Sequence, residues 1–192
     1  MQLSPAQDTH GTVAVRPLAS SDRALLAPVA ADPALWRWWP RPMGDWDQAF
    51  DWMEAEVAAG RLIAHKVVWN DHPVGQTCYL NIRPDHAGVE IGHTWYAGAA
   101  QAGPVNPAAK LILLAHAFAA GAERVELKTD FENARSRAAI AKLGAKPEGV
   151  FRRHMRRPDG SWRDTAWFSI LREDWPDVRT GLKARLDRLG AG

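Results

Sequence analysis

The 192-residue chain is long enough to bury a sizeable core, and its 46% hydrophobic and 24% charged residues are typical of a soluble globular protein. This composition excludes extensive disorder and predicts one domain over residues 1–192. A formal net charge of +2 is too small to indicate nucleic acid or a membrane surface as a main partner.

The cysteine count and the length of the apolar runs exclude further classes of protein. Cys78 is the only cysteine, which excludes an intramolecular disulfide and a thiolate metal cluster. No His, Asp and Glu spacing indicates a metal site, so no metal is expected. The start MQLSPAQDTHGTVAVRPL lacks the features of a secretory signal, and no apolar run reaches membrane-spanning length. We therefore expect a cytoplasmic protein.

The first half of the chain predicts a strand, helices and three further strands. Residues 12–18 alternate in polarity and predict a strand, followed by a helix that begins at Ser21 or Asp22. Residues 46–58 predict a helix that ends at Gly60, and its expected buried stripe is Trp46, Ala49, Phe50, Met53 and Val57. An antiparallel meander is then expected over 61–69, 74–83 and 89–97.

The second half predicts a helix, a buried strand, a second helix, a hairpin and a terminal helix. Their expected ranges are 107–121, 123–129, 133–144, 148–175 and 177–189. This order fits an α+β, sandwich-like architecture with helices on both faces of a mixed, mostly antiparallel sheet.

The segment YAGAAQAGPVNPAAK, residues 96–110, joins a predicted strand to a predicted helix. Asn106 is a favourable N-cap and Pro107 fits the first helical position, so the helix is expected to start just after residue 106. Free N–H groups and the helix dipole at such a start bind anions such as phosphate. On spacing alone, a plain connection explains the segment better than a phosphate cradle does, because most loops of this kind are only connections.

Two consecutive stretches, VEIGHTWYAGAAQAGPVNPAAKLILLAHAF and ERVELKTDFENARSRAAIAKLGAKPEGVFRRHMRRPDGSWRDTAWFSILREDW, resemble the GNAT acyltransferase superfamily. More narrowly they resemble its RimJ/RimL-type branch, the ribosomal-protein-alanine N-acetyltransferase-like proteins, which acetylate protein N-termini and some small amines. The resemblance covers about residues 12–176, and its most diagnostic piece is NARS at 133–136 followed by IAKLGA at 140–145. It implies a GNAT fold whose central sheet splays between its fourth and fifth strands to hold acetyl-CoA.

The pyrophosphate loop of the superfamily usually reads Gln/Arg-x-x-Gly-x-Gly/Ala, often followed by Asn in this branch. Gln101, Val105 and Asn106 fit that pattern, whereas Pro104 stands where glycine is usual and donates no N–H. The amides expected to remain available are those of residues 102, 103, 105, 106 and 108. The resemblance implies acetyl-CoA contacts from Thr94, Trp95, Tyr96, Gln101, Ala102, Gly103, Val105, Asn106, Asn133 and Ser136.

Three residues are candidates for the chemistry. Glu90 matches a strand position where several GNAT enzymes keep a base that acts through water, although a salt-bridged structural glutamate explains it equally. His93 is a second candidate base, or a structural histidine at a strand end. Ser136 lies by resemblance near the CoA sulfur, or merely follows the helix cap. Ile140 stands where many members place an acid tyrosine, so that role falls to Ser136, to water, or is dispensed with.

Tryptophan is abundant, with ten residues in the chain. We expect Trp36, Trp39 and Trp52 to line an apolar acceptor site or a homodimer contact, and Trp52 to be the most exposed because it lies off the buried stripe of its helix. The basic run at 152–157 is expected to be a solvated hairpin edge, with Arg152, His154 and Arg156 on one face and Arg153 and Arg157 on the other.

The sequence therefore predicts an acetyl-CoA-dependent N-acetyltransferase in which a peptide N-terminal amine attacks the thioester directly. Cys78 has no evident base partner, so no covalent enzyme intermediate is expected. A small-amine acceptor (amino acid, polyamine or antibiotic) and a non-catalytic acyl-CoA-binding module are alternatives. A protein- or RNA-interaction module that uses the tryptophans and arginines is a third.

Overall fold

The computed structural model describes residues 1–191. Its elements follow the predicted order, with one additional short strand near the start. The strands are β1 (Asp8–His10), β2 (Val13–Pro17), β3 (Leu62–Trp69), β4 (His72–Arg83), β5 (Gly88–Tyr96), β6 (Arg124–Asp130), β7 (Lys146–Arg156) and β8 (Trp162–Leu171). The helices are α1 (Asp22–Ala30), α2 (Trp46–Ala58), α3 (Val105–Ala119), α4 (Ala134–Ala141) and α5 (Trp175–Arg188).

The strands of the described chain form one sheet in the order β1-β2-β3-β4-β5-β6-β8-β7. Neighbours pair antiparallel except β5 and β6, which pair in parallel through residues 88–90 and 124–126. The two strands share no register beyond those residues, so the sheet opens between them. They are the fourth and fifth strands of the predicted set, and the mixed, splayed sheet implied by the resemblance is confirmed.

Apolar side chains hold helices against both faces of this sheet. One face carries α3 and α5, whose buried residues join Val15, Tyr79 and Val125 in the main core. The opposite face carries α1 and α2, and Phe50 and Met53 of α2 pack with residues of β3 and β4. Consecutive β-strand side chains alternate between these two faces, which is why each strand contributes to both cores.

Three helix predictions need correction. Helix α3 begins at Val105 with Pro104 as its N-cap residue, so Asn106 and Pro107 lie in the first turn rather than at the cap. Val57 is 42% exposed, because the packed stripe of α2 ends at Met53 and Val57 lies in the last turn. Helix α5 starts at Trp175, two residues earlier than expected.

The basic run of β7 also departs from simple alternation. The register with β8 shifts between Phe151 and Met155, and Arg153 has a left-handed φ of 48°. Such a bulge interrupts the pleat, so the regular alternation that the predicted division of the arginines assumed does not run through residues 152–154. Among the helices of residues 1–191, none combines the length and apolar character that a membrane crossing requires.

The close approach of β4 and β5 predicts a glycine requirement at residue 75. A Cβ on Gly75 would lie 2.1 Å from the Trp95 carbonyl oxygen, whereas a Cβ on Gly181 of α5 meets nothing within 4 Å. Gly75→Ala should lower the free energy of unfolding by about 1–3 kcal/mol or more, as overpacking does. Gly181→Ala should raise it by up to about 1 kcal/mol, because alanine favours helix. Urea unfolding of both variants checks this, and equal effects would contradict the packing.

Candidate active site

A β-bulge in β5 shapes the site. Cys78 pairs with Gly92 and Gln76 pairs with Trp95, so His93 and Thr94 together face the single residue Thr77. His93, one of the two bulged residues, has a φ of 48°. This is a left-handed value that is costly for a non-glycine residue. The bulge turns His93 onto the face that carries α2, where its ring centroid lies 5.5 Å from that of Trp52. Strained backbone of this kind concentrates at functional sites.

The edge of β5 beyond Glu90 has no partner strand on the β6 side. Pairing with β6 stops at Glu90, while β5 continues to Tyr96. The backbone from Ile91 to Tyr96 on that side therefore remains free of the sheet ladder. A strand edge with unpaired N–H and C=O groups inside a cleft offers hydrogen bonds to an extended ligand.

The loop after β5 leads into the start of α3. The amides of Ala102, Gly103, Val105 and Asn106 donate to no acceptor among residues 1–191. The Ala108 amide, expected to be available, instead donates to the Pro104 carbonyl at 3.0 Å and belongs to the helix. Converging free amides at a helix N-terminus form an anion site.

Side chains hold this loop between β5 and α4. The Gln101 Nε2 donates to the Tyr96 carbonyl at 2.7 Å, and its Oε1 accepts a hydrogen bond from Arg135 of α4. The Tyr96 hydroxyl donates to Asn106 Oδ1 at 3.4 Å. Ala102 adopts a φ of 63°, a second left-handed residue close to the helix start. Gln101 and Asn106 therefore use their side chains to position the loop.

The side chains of Trp95 and Tyr96 point into the two cores, and the half-buried Thr94 uses its hydroxyl to accept from Lys110 Nζ at 2.8 Å. Trp95 is 4% exposed and packs edge-on against Trp36 and Trp46, while Tyr96 belongs to the main core. The contacts expected from these three residues are thus limited to their backbone.

Helix α4 begins directly across the opening. Asn133 is its N-cap, and its Oδ1 accepts the Ser136 amide at 3.0 Å. The Ser136 side chain is half-buried in the first turn. Ile140 is buried in the main core, so this position supplies no acid.

Glu90 lies at the last paired position of β5 and is 1% exposed. Its Oε2 accepts from Asn81 Nδ2 at 2.6 Å and lies 2.9 Å from Lys128 Nζ. Its Oε1 lies 2.9 Å from an ideal Cβ position on Gly92, so the carboxylate spreads over that glycine next to the bulge. The structure therefore contains the ion pair of the structural interpretation, placed beside the opening that catalysis would use.

His93 and the predicted tryptophans form an aromatic cluster. The His93 ring lies 5.3 Å from Trp39 and 5.5 Å from Trp52, and its buried Nδ1 has no partner in the described chain. Burial lowers the pKa of His93 to about 4, and the nearby Arg41 charge adds to the effect. The imidazole is consequently neutral at pH 7 and can accept a hydrogen bond.

The three predicted tryptophans differ in how close they lie to His93. Trp52 is half-buried rather than exposed, because the Arg41 guanidinium lies 3.5 Å above its ring. Trp36 donates its Nε1 to the Ala30 carbonyl at 2.9 Å and packs against Trp39, one layer behind His93. Only Trp39 and Trp52 directly contact the histidine.

Comparison with known proteins identifies the family. A family profile described as an acetyltransferase (GNAT) domain matches residues 12–146. The chain belongs to the GNAT acetyltransferase family. A Thermus thermophilus protein assigned as an acetyltransferase is 32% identical over 97% of this chain and 100% of its own, with a TM-score of 0.87.

Two further structures relate this acetyltransferase to named enzymes. Mycobacterium smegmatis RimJ, solved in complex with CoA-disulfide, is 27% identical over 95% of this chain and 93% of its own, with a TM-score of 0.78. A Salmonella typhimurium acetyltransferase that modifies the N-terminal serine of a 50S ribosomal subunit protein is 15% identical over 83% and 95%, with a TM-score of 0.73, and supports the fold alone. No curated protein matches the chain.

GNAT domains use acetyl-CoA, and the geometry of this acetyltransferase fits that molecule. The free amides of the loop suit a pyrophosphate, and the unpaired edge of β5 suits the amide groups of a pantetheine arm. A Cβ on Gly98 or Gly103 would meet nothing within 4 Å, so the loop surface is open. In residues 1–191, no group of three or more His, Cys, Asp or Glu side chains could hold a metal ion.

An apolar groove of about 470 Å³ lies away from this site. It runs between α4 and the β7–β8 hairpin and is lined by Phe131, Ala138, Val150 and Trp167, among others. Neither Glu90 nor the 97–104 loop reaches it, so we do not place the chemistry there.

Lys110 of α3 is a buried charge that the sequence analysis did not identify. It is 4% exposed, and its Nζ donates to Thr94 Oγ1 at 2.8 Å and Thr77 Oγ1 at 3.2 Å. These threonines are the residues that face each other at the bulge of the GNAT enzyme. A lysine inside an otherwise apolar helix pattern was the available signal, but its partners become visible only once the bulge is known.

Stability should reveal the charge state of Lys110. Burial lowers its folded-state pKa to about 7, whereas a solvated lysine titrates at 10.5. Unfolding between those values takes up a proton, so stability rises with pH by at most about 1.4 kcal/mol per unit. Lys110→Met should flatten this rise in urea-unfolding free energies measured across that window. Exposed Lys142→Met is the control, and a wild-type slope retained in Lys110→Met would contradict the lowered pKa.

Proposed function

We propose that this GNAT protein is an N-acetyltransferase that transfers the acetyl group of acetyl-CoA to a primary amine by direct attack. The observation that carries the proposal is the free β5 edge that leads into four unpaired amides at the start of α3. Together they provide hydrogen-bond groups along the length of acetyl-CoA. The loop amides face the pyrophosphate, and the β5 edge faces the pantetheine arm and its thioester.

At the thioester, we assign one role to a backbone N–H and two roles to side chains. An N–H of the Thr94–Tyr96 segment donates to the thioester oxygen as negative charge develops there, on a strand fixed by the bulge. Glu90 accepts the ammonium proton through water, while Lys128 Nζ fixes the position of its Oε2 at 2.9 Å. Neutral His93 orients the incoming amine from the same face.

The state of Cys78, the only cysteine, supports direct attack. Cys78 is fully buried, and burial raises the pKa of its thiol to about 12. A thiol that stays protonated at neutral pH is a poor nucleophile, so an acetyl-cysteine intermediate is disfavoured. Ser136 remains the candidate beside the leaving sulfur, with water as the alternative acid.

The proposed acceptor is a peptide N-terminal amine. The resemblance to the RimJ/RimL-type branch, which acetylates protein N-termini, supports this choice, and RimJ itself is 27% identical to the chain. The layer of Trp39 and Trp52 around His93 provides an apolar wall for the residue that carries the amine. A small-molecule amine is the second candidate, favoured by the narrow, buried position of Glu90.

Two measurements test the proposed activity. Isothermal titration with acetyl-CoA should show binding, and thiol release with a panel of N-terminal peptides and small amines should show turnover. Binding without turnover of any amine would favour a non-catalytic acyl-CoA module. Absence of binding at millimolar acetyl-CoA would contradict both functions and favour an interaction module.

Restoring the missing amide of the loop should strengthen acetyl-CoA binding. Pro104 has a φ of −75°, which alanine and glycine adopt without strain. Pro104→Ala and Pro104→Gly each add one N–H, and a net hydrogen bond of about 1 kcal/mol corresponds to a roughly fivefold lower Kd. Titration of both variants separates the amide from glycine flexibility. An unchanged Kd in both would show that the loop compensates.

Substitution of two glutamates on neighbouring strands tests whether Glu90 is the proton acceptor. Glu90→Gln should lower kcat by about a hundredfold or more, as loss of a general base does. Glu126→Gln is the matched control, because Glu126 is the register partner of Glu90 on β6 and pairs with Arg83 and Arg124. Steady-state kinetics with saturating acetyl-CoA provide the comparison. Equal losses in the two variants would assign Glu90 a structural role.

A further inference from the structure

Arg163 lies on the far side of the sheet opening. It belongs to β8, beyond the point where β6 ends, because Asp130 is the last residue of β6 and pairs with Thr165. Strand alternation places Arg163 on the same face as Thr165 and Trp167. Lys128 lies over the Trp167 ring and contacts Glu90, so this is the face that carries the proposed proton acceptor.

The guanidinium of Arg163 is buried without a partner. The residue is 5% exposed, and its Nε has no hydrogen-bond partner. Among residues 1–191 its guanidinium forms no ion pair within 4.0 Å, because Asp130 pairs with Arg157 and Glu90 pairs with Lys128. A buried N–H donor such as this Nε is costly to leave unpaired, and the guanidinium carries four further N–H donors that a ligand can use.

The neighbouring charges on this face are already paired. Lys128 pairs with Glu90 at 2.9 Å, and Arg157 forms a two-point contact with Asp130 at 2.8 and 3.0 Å. Arg163 therefore has no matching carboxylate among these neighbouring groups. Burial lowers the pKa of Arg163, while the negative charges of Asp130 and Glu90 favour its charged form.

We infer that Arg163 binds a carboxylate carried by the acceptor amine. The inference rests on the proposed function and specifies its substrate class as an amine with a negative charge. A planar guanidinium forms two parallel hydrogen bonds to a carboxylate, which makes arginine the side chain suited to this group. With the amine directed to Glu90, the carboxylate lies on the β8 side of the opening.

Two acceptors offer this chemistry. One is a peptide with an acidic residue near its N-terminus, and the other is a free amino acid with its own α-carboxylate. Matched pairs distinguish them: Ala-Glu-Ala-amide against Ala-Gln-Ala-amide, and alanine against alaninamide. The pair in which charge accelerates turnover identifies the source of the carboxylate.

The wild-type enzyme should prefer the charged member of one pair by about tenfold or more in kcat/KM, chiefly through KM. Arg163→Met should abolish the preference and leave KM for acetyl-CoA unchanged, whereas Arg163→Lys should retain part of it. Arg152→Met, which removes an exposed arginine of β7, should preserve the preference in full. Thermal unfolding checks that every variant is folded, and Arg163→Lys keeps the test valid should the methionine variant fail to fold.

Three results would overturn the inference: no charge preference in the wild type, an equal loss for both members of a pair, or a raised KM for acetyl-CoA alone. Titration of the N-acetylated pairs into the CoA-saturated protein measures recognition without turnover. A charge preference there without any turnover would contradict the proposed function and support the role of Arg163. Absence of preference there would overturn that role.

Discussion

The parallel pairing of β5 with β6 stops after Glu90, and the rest of the site depends on that stop. Because the strands separate, β5 keeps a free edge up to Tyr96, and the helices that follow each strand begin on opposite sides of the gap. The unpaired amides before α3 and the capped start of α4 therefore meet at one opening. A fully paired sheet would have satisfied the same backbone groups internally.

Charge is distributed unevenly around this opening. On the face of α2, Glu90 is neutralised by Lys128, whereas Arg163 has no such partner in the described chain. On the opposite face, Lys110 is held by two threonine hydroxyls beneath the bulge. A fold that buries unmatched cations sacrifices stability, and such sites are where function is expected to reside.

The pattern of apolar residues was sufficient to predict the order of strands and helices. The separation of β5 from β6 was predicted only through the family resemblance. The start of α3 was misplaced because Asn106 is a good cap, yet its side chain instead accepts the Tyr96 hydroxyl. The positions of His93 and Lys110 could not be derived, since both depend on a bulge that forms between two distant strands. In the sequence, Arg163 is one arginine of a basic hairpin, and its isolation is a property of three-dimensional packing.

Hydrogen exchange of the backbone amides upon addition of acetyl-CoA shows whether the sheet opening binds the acyl donor. Exchange should slow at residues 91–96 and 102–106, where unpaired amides become hydrogen-bonded or shielded. Exchange at Gly149 and Val150 of β7, on the wall of the apolar groove opposite α4, should remain unchanged. Slowing confined to that groove, or absent from both segments at saturating acetyl-CoA, would contradict the assignment of the opening as the acyl-donor site.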